Sequence, residues 1–295
     1  SGDEIRIEEI KVNNGSIILT AGSDQAIKNT FELCYKKNKE IITTHPTFAM
    51  VDIYSKIYKT KQVKIGYDKN LNLKINDIYR SINKDTCLII LANPNSPTGK
   101  LIEKKELIKI IKKAKKYNVK ILLDEAYHEF ANYNFLSKIK DYNNLIIIRT
   151  FSKIFGLAGL RAGYILSNKK IIRKYTSIKP MYEINSIAVK ALELILDNPK
   201  YINLYLKEMR EGEAYAKMFC KKNNYIFIKC HANFFHINFK YDPKRIQNYL
   251  LNKNILIKGG PGVDSFENYL RISFAKKSTI SLMLNEIKRY LILKN

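Results

Sequence analysis

At 295 residues, 46% hydrophobic and 27% charged, the chain can bury one large core and a smaller one, and it is too apolar for a disordered protein. Lysine and arginine total 52 against 27 aspartates and glutamates, a formal charge of +25. The lysines run along the whole length, as in Lys104-Lys105, Lys112-Lys113 and Lys115-Lys116, with no arginine-rich arm or zinc-finger spacing, which speaks against nucleic acid as a partner.

Ser16 to Thr20 reads as a short strand, followed by Ala21-Gly22-Ser23-Asp24 and a helix from Gln25 to about Lys37. Glu40 to Thr43 and Lys61 to Ile65 are the next strands, the first ended by His45-Pro46-Thr47. Asp85 to Ala92 is a continuous apolar run, the pattern of a strand buried on both faces, and it stops at Asn93-Pro94. Glu103 to Tyr117 is a helix, with Leu107, Ile110, Ile111 and Ala114 on one stripe and lysines opposite. Lys120 to Asp124 and Asn144 to Thr150 are again strands. This alternation predicts an α/β fold with a mostly parallel sheet covered on both faces.

Past Lys179-Pro180 the pattern changes. Ile184 to Leu196 and Leu204 to Lys222 read as long helices. Tyr225 to Lys229, Phe234 to Phe239, Ile255 to Ile257 and Leu270 to Phe274 read as short strands, and Thr279 to Ile292 as a closing helix. The expected organisation is a large α/β domain over 1–180 and a smaller α+β domain over 181–295. Cys34, Cys87, Cys220 and Cys230 have neither disulfide-framework nor metal-site spacing, so no metal is expected. Nothing resembles a signal peptide and no apolar run is long enough to span a bilayer, so the expected location is cytoplasmic, with no membrane partner.

Four segments carry chemistry. Gly22-Ser23-Asp24 sits at a strand-to-helix junction, where free N–H groups form an anion cradle or where Ser and Asp act as ordinary caps. Asn93-Pro94-Asn95-Ser96-Pro97-Thr98-Gly99 follows a buried strand and places polar side chains at its carboxyl end, where α/β proteins bind ligands. In Leu122-Leu123-Asp124-Glu125-Ala126-Tyr127, the carboxylate of Asp124 ends a buried strand and needs a cation such as a protonated ring nitrogen. His128 reads as an exposed or packing residue, since no G-x-S-x-G elbow accompanies it. The run from Arg149 to Tyr164 holds Lys153 just past a strand, flanked by Thr150 and Ser152 and then by apolar residues, a setting for an imine-forming amine. Arg161, eight residues on, offers a fork suited to phosphate. An imine lysine, a carboxylate for a pyridine nitrogen, a donor for a ring hydroxyl, an anion cradle and a flat side chain (Phe48) are together the parts a pyridoxal phosphate site needs.

From about Ser16 to Ile292 the chain resembles the pyridoxal-phosphate aminotransferases of the aspartate-aminotransferase fold, and most of all their histidinol-phosphate aminotransferase branch. GSDQAI, HPTF, NPNSPTG, LLDEAY, RTFSKIFGLAGLRAGY, HANFF and YLRISFA carry the likeness. The resemblance implies a mostly parallel seven-stranded sheet between helices, a smaller C-terminal domain, pyridoxal 5'-phosphate as cofactor and a homodimer. It implies that Lys153 bonds the cofactor, Asp124 pairs with its ring nitrogen and Tyr127 contacts its ring hydroxyl. Gly22, Ser23, Asp24, Thr150, Ser152 and Arg161 would surround the phosphate, Phe48 would stack on the ring, and Asn95 or Ser96 would reach a ring oxygen. Arg271 and Lys258 would take the substrate. The family usually has asparagine where this chain has Ser96, and Gly259-Gly260 follow Lys258, which opens the substrate choice. Its members also carry a further amino-terminal stretch, with a closing arm and a tyrosine for the partner subunit, that is not found here; Ser1-Gly2 reads as a cloning remnant. The expected reaction is amino transfer between an amino acid or amino alcohol phosphate and a 2-oxo acid. The alternatives are decarboxylation of a phosphorylated amino acid, or a truncated, noncatalytic relative.

Overall fold

The computed structural model describes residues 15–131 and 133–294. The first part of the chain alternates strand and helix: β1 (Ile17–Thr20), α1 (Gly22–Cys34), β2 (Glu40–Thr44), α2 (Ala49–Ile57), β3 (Lys61–Ile65), α3 (Ile75–Ser81) and β4 (Thr86–Ala92). It continues through α4 (Lys104–Lys116), β5 (Lys120–Asp124), β6 (Leu145–Thr150), β7 (Gly163–Ser167) and α5 (Lys169–Ile178). The seven strands form one sheet in the order β1-β7-β6-β5-β4-β2-β3. Only β7 opposes its neighbours, pairing antiparallel with both β1 and β6.

The central strands are apolar at successive positions because helices cover both faces. Side chains alternate across the sheet, so adjacent residues of one strand feed different cores. On one face Ile89, Leu91, Ile121, Leu123 and Ile147 pack with Leu107 and Ile111 of α4. On the other, Leu88, Ile90, Leu122, Ile146 and Ile148 pack with Ile27 and Phe31 of α1 and Tyr175 of α5.

The remainder comprises α6 (Ser186–Leu196), α7 (Lys200–Lys222), β8 (Ile226–Ala232), β9 (Phe234–Asn238), α8 (Pro243–Leu251), β10 (Lys258–Gly259), β11 (Leu270–Ser273) and α9 (Lys277–Ile292). Its four strands form an antiparallel sheet ordered β10-β11-β9-β8. Phe235, Ile237, Leu270 and Ile272 face a core shared with Ile246, Ile280 and Leu284. This smaller, β-rich C-terminal domain leaves Phe234, His236 and Arg271 for its other face. No helix among the described residues is long and apolar enough to cross a membrane.

Several elements differ from their sequence expectation. Helix α1 begins at Gly22 rather than Gln25, so Ser23 and Asp24 lie in its first turn instead of capping it. Ile255 to Ile257 form no strand; Ile255 and Ile257 pack against the small core, and the two-residue β10 follows them. Strand β7 and helices α2, α3, α5 and α8 were not anticipated.

Leu123 is fully buried between sheet and α4. Its replacement by alanine should cost about 2–5 kcal/mol, read as a lower midpoint in urea denaturation.

Candidate functional site

The parallel direction of β4, β5 and β6 brings three polar segments to one edge of the sheet. Ala92 pairs with Asp124, Asp124 pairs with Ile148, and β6 ends at Thr150, two residues before Ser152. The segment containing Asn95, the carboxylate of Asp124 and the loop of Lys153 therefore start side by side.

Asp124 is 8% exposed, and one of its oxygens accepts the Ala126 N–H at 3.0 Å. Burial pushes its pKa up to about 6, against the pull of that N–H and of the Lys153 ammonium. A carboxylate placed here calls for a further cation or strong donor. The Lys153 amine lies 5.2 Å from the centroid of the Tyr127 ring, so all three groups of the predicted chemical centre converge.

The next residue along β5 is anchored differently. Glu125 is fully buried, and one of its oxygens accepts from both Nε and Nη2 of Arg149, at 2.9 and 2.7 Å. Arg149 is itself buried and also donates to Asn134 at 3.0 Å. Burial opposes its charge, yet Glu125 and Tyr164 more than restore it, and the guanidinium pKa is raised. The fork of Arg149 thus holds β6 to the end of β5.

The anion cradle depends on two glycines. Gly163 pairs with Thr20 on one side and Thr150 on the other. A Cβ there would lie 2.8 Å from the Arg149 carbonyl oxygen and from Gly22 and Ser23 backbone atoms, so only glycine lets the start of α1 rest on the sheet. Gly22 adopts φ +82°, and a Cβ on it would meet the Arg161 guanidinium at 2.8 Å. Arg161 therefore lies against the first turn of a 13-residue helix, whose unpaired N–H groups and dipole favour an anion. Ser23, Asp24 and Ser152 are half-buried around it, and Thr150 is buried.

The remaining predicted residues are placed as follows. Asn95 is buried and its amide donates to the Pro46 carbonyl and to Thr98 Oγ1, at 3.2 and 2.9 Å; this ties the loop after β4 to the loop of Phe48. Its donors are thus engaged within the protein, while Ser96 is half-buried. Phe48 immediately precedes α2 and is 39% exposed. Arg271 and Lys258 are direct partners in the β10–β11 register, and the Arg271 guanidinium sits 5.1 Å from the centroid of Phe234. Phe234 meets Tyr127 edge-on with centroids 6.0 Å apart, which links this pair to the chemical centre. His128 occupies a short 3-10 turn with Nδ1 2.8 Å from the Glu125 carbonyl oxygen, a packing role.

The family described as aminotransferase class I and II matches residues 4–283. The histidinol-phosphate aminotransferase of Thermoanaerobacter pseudethanolicus is 32% identical over 281 residues, covering 94% of this chain and 78% of the relative. The Pelagibacter ubique enzyme of the same description is 32% identical, covering 95% and 79%. The crystal structure of the histidinol-phosphate aminotransferase from Clostridium acetobutylicum superimposes with a TM-score of 0.83 at 27% identity, over 93% of this chain and 83% of that one. The chain belongs to the class I and II aminotransferases. Within that pyridoxal-phosphate-dependent family it falls in the histidinol-phosphate aminotransferase-like branch.

Several contacts are not legible in the sequence of this family member. Tyr54 donates to Asp24 Oδ1 at 3.0 Å, and Tyr67 hydrogen-bonds Thr44 and Thr98 beside the Asn95 loop. His236 is fully buried, its pKa pushed down to about 4 by burial and by Arg271, with Nε2 3.1 Å from the Pro97 carbonyl. As a neutral ring it donates to that carbonyl and pins the small domain to the loop after β4. The strand alternation within HANFF and beyond, which puts His236 on the face of Phe234, was the available signal.

Two outcomes are expected of this chain. Arg149→Met should lose about 3–5 kcal/mol by leaving the Glu125 carboxylate buried alone, and Arg149→Met/Glu125→Leu should recover most of it in chemical denaturation. For Asp124, a folded pKa near 6 exceeds the ordinary 3.8, so its contribution is full below about pH 4 and is lost as pH rises through 6. In protein prepared without cofactor, Asp124→Asn should therefore be the more stable form at pH 7, on the order of 3 kcal/mol, with the difference vanishing near pH 4.

Proposed function

We propose that this aminotransferase moves an amino group between a phosphorylated amino alcohol or an amino acid and a 2-oxo acid, with pyridoxal 5'-phosphate held at the edge of the large sheet. The observation that carries the reading is the buried Asp124, whose carboxylate calls for a cationic partner beside the Lys153 amine and the Arg161–α1 cradle. These residues fit the cofactor: a carboxylate for its ring nitrogen, an amine for its aldehyde and an anion site for its phosphate. The histidinol-phosphate aminotransferases among the relatives support a phosphorylated substrate, as does the Arg271–Lys258 pair.

When bound, the cofactor supplies an electron sink for the negative charge that develops at the substrate α-carbon. Asp124 holds a proton on the ring nitrogen, which keeps the sink open. Lys153 would serve as general base toward the proton on the substrate α-carbon and then, carrying that proton, as general acid. Tyr127, with Asn95 and Ser96 nearby, would donate to the ring oxygen, and Phe48 would supply the flat side chain for the ring. The N–H groups at Gly22, Ser23 and Asp24 take the phosphate together with Thr150, Ser152 and Arg161. Arg271 grips the substrate carboxylate or phosphate, with Lys258 beside it. The substrate would lie between a large domain and a smaller one divided near residue 180, in a homodimer.

The test is the absorbance of purified protein with pyridoxal phosphate, before and after histidinol phosphate, glutamate or phosphoserine. The visible band of the cofactor–lysine linkage should convert to a near-ultraviolet band with the correct donor, and Lys153→Ala should have no borohydride-reducible linkage at that position. Arg271→Leu should keep the visible band and raise KM by about ten-fold or more, the loss of one charge-assisted contact. Carbon dioxide release without a 2-oxo acid product would replace this reading with decarboxylation.

A further inference from the structure

A cavity of about 340 Å³ opens at the opposite edge of the large sheet, where β4, β5 and β6 begin. Its rim carries Lys36, Lys120, Lys170 and Lys174. None of the four forms an ion pair with a described carboxylate. The floor is Leu33, Cys34, Cys87, Ile146 and Ile171. Burial and the neighbouring Cys87 push the Cys34 thiol up to about 12, and burial raises Cys87 too, so the floor holds no negative charge at neutral pH. Lys120, the half-buried member, has its pKa lowered by burial and by repulsion from Lys174 and Lys36. Exposed Lys36, Lys170 and Lys174 and half-buried Lys120 thus rim a hollow whose lining is mostly apolar, with Asn118, Asn143 and Asn168 beside them, and an anion would relieve the repulsion that Lys120 feels from Lys174 and Lys36.

We propose that this rear cavity binds a phosphorylated organic anion, with the phosphate on the lysine rim and a flat or apolar body on the neutral floor. Inorganic phosphate alone would use only the rim. The site shares no residue with the chemical centre and lies at the other end of the same strands.

The probe is adenosine monophosphate, titrated by calorimetry into protein loaded with pyridoxal phosphate and then freed of unbound cofactor by gel filtration, so that the phosphate cradle at α1 is filled while the rear cavity is left open to the probe. One saturable site is expected, weakened by about ten-fold or more in Lys120→Gln/Lys174→Gln and by less than about two-fold in Lys112→Gln/Lys116→Gln, which removes equal charge from the exposed face of α4. Inorganic pyrophosphate should bind less tightly than adenosine monophosphate. Thermal melting of each unliganded variant checks that it folds, and Lys174→Gln alone, at an exposed position, serves if the double variant does not. Absence of saturable binding, equal losses in the two double variants, or pyrophosphate binding as tightly as adenosine monophosphate would each overturn the proposal.

Discussion

The Glu125–Arg149 ion pair fixes the carboxyl ends of β5 and β6 against each other, and the proposed chemical centre lies at those ends. Both groups are removed from water, a loss that only a close two-point contact offsets. Arg149 supplies it by placing two nitrogens on one oxygen of Glu125. The Glu125 N–H also donates to the Ile148 carbonyl at 2.9 Å, so backbone and side chain bind the strands at the same level. Asp124 precedes one partner and Lys153 follows the other by four residues, hence neither can drift without straining the pair.

A second constraint is steric. Helix α1 must approach the sheet closely enough for its first turn to share a surface with Thr150 and Arg161. Gly163 permits that approach by having nothing between β7 and the Gly22–Ser23 backbone. Gly22 meets the same requirement from the helix side, at a backbone angle that other residues rarely adopt. The positive end of the helix dipole and the Arg161 guanidinium then reinforce one another, which neither would do at a distance.

The legible parts of the fold were those governed by local pattern. Lys61–Ile65 and Lys120–Asp124 were read with their observed limits, and α4 within one residue at each end, because periodicity and apolar runs are properties of neighbouring residues. The nearness of Asp124 and Lys153 was foreshadowed by Asp124 ending a buried strand and Lys153 lying just past another, with Tyr127 three residues beyond Asp124. The ion pair was invisible for the opposite reason: Arg149 and Glu125 are 24 residues apart and meet only through the β5–β6 register. Strand β7 hid within a segment read for its glycines and arginine, since its pairing with two strands at once is a tertiary property. Ile255 to Ile257 show the reverse error, an unbroken apolar triplet in which Ile255 and Ile257 pack on the small core, Leu256 is exposed and no ladder forms.

The small sheet meets the loops after β4 and β5 through the face away from its own core, and the alternation of β9 explains how one short strand serves two purposes. Phe235 and Ile237 point into the core with α9, where they hold the small domain together. Phe234 and His236 point the other way, one against Tyr127 and the Arg271 guanidinium, the other against the Pro97 carbonyl. A one-residue slip of β9 would exchange these sets, burying histidine in the core and withdrawing the ring on which Arg271 rests. The position of Arg271 relative to Lys153 therefore depends on strand register in the small domain, and the β8 contact of the His231 N–H with the Gly99 carbonyl, at 2.8 Å, holds that domain in place on the loop after β4. The packing of the small core and the placement of Arg271 are thus set by the same alternation, which is why this proposed substrate residue sits on a strand rather than on the loops around it.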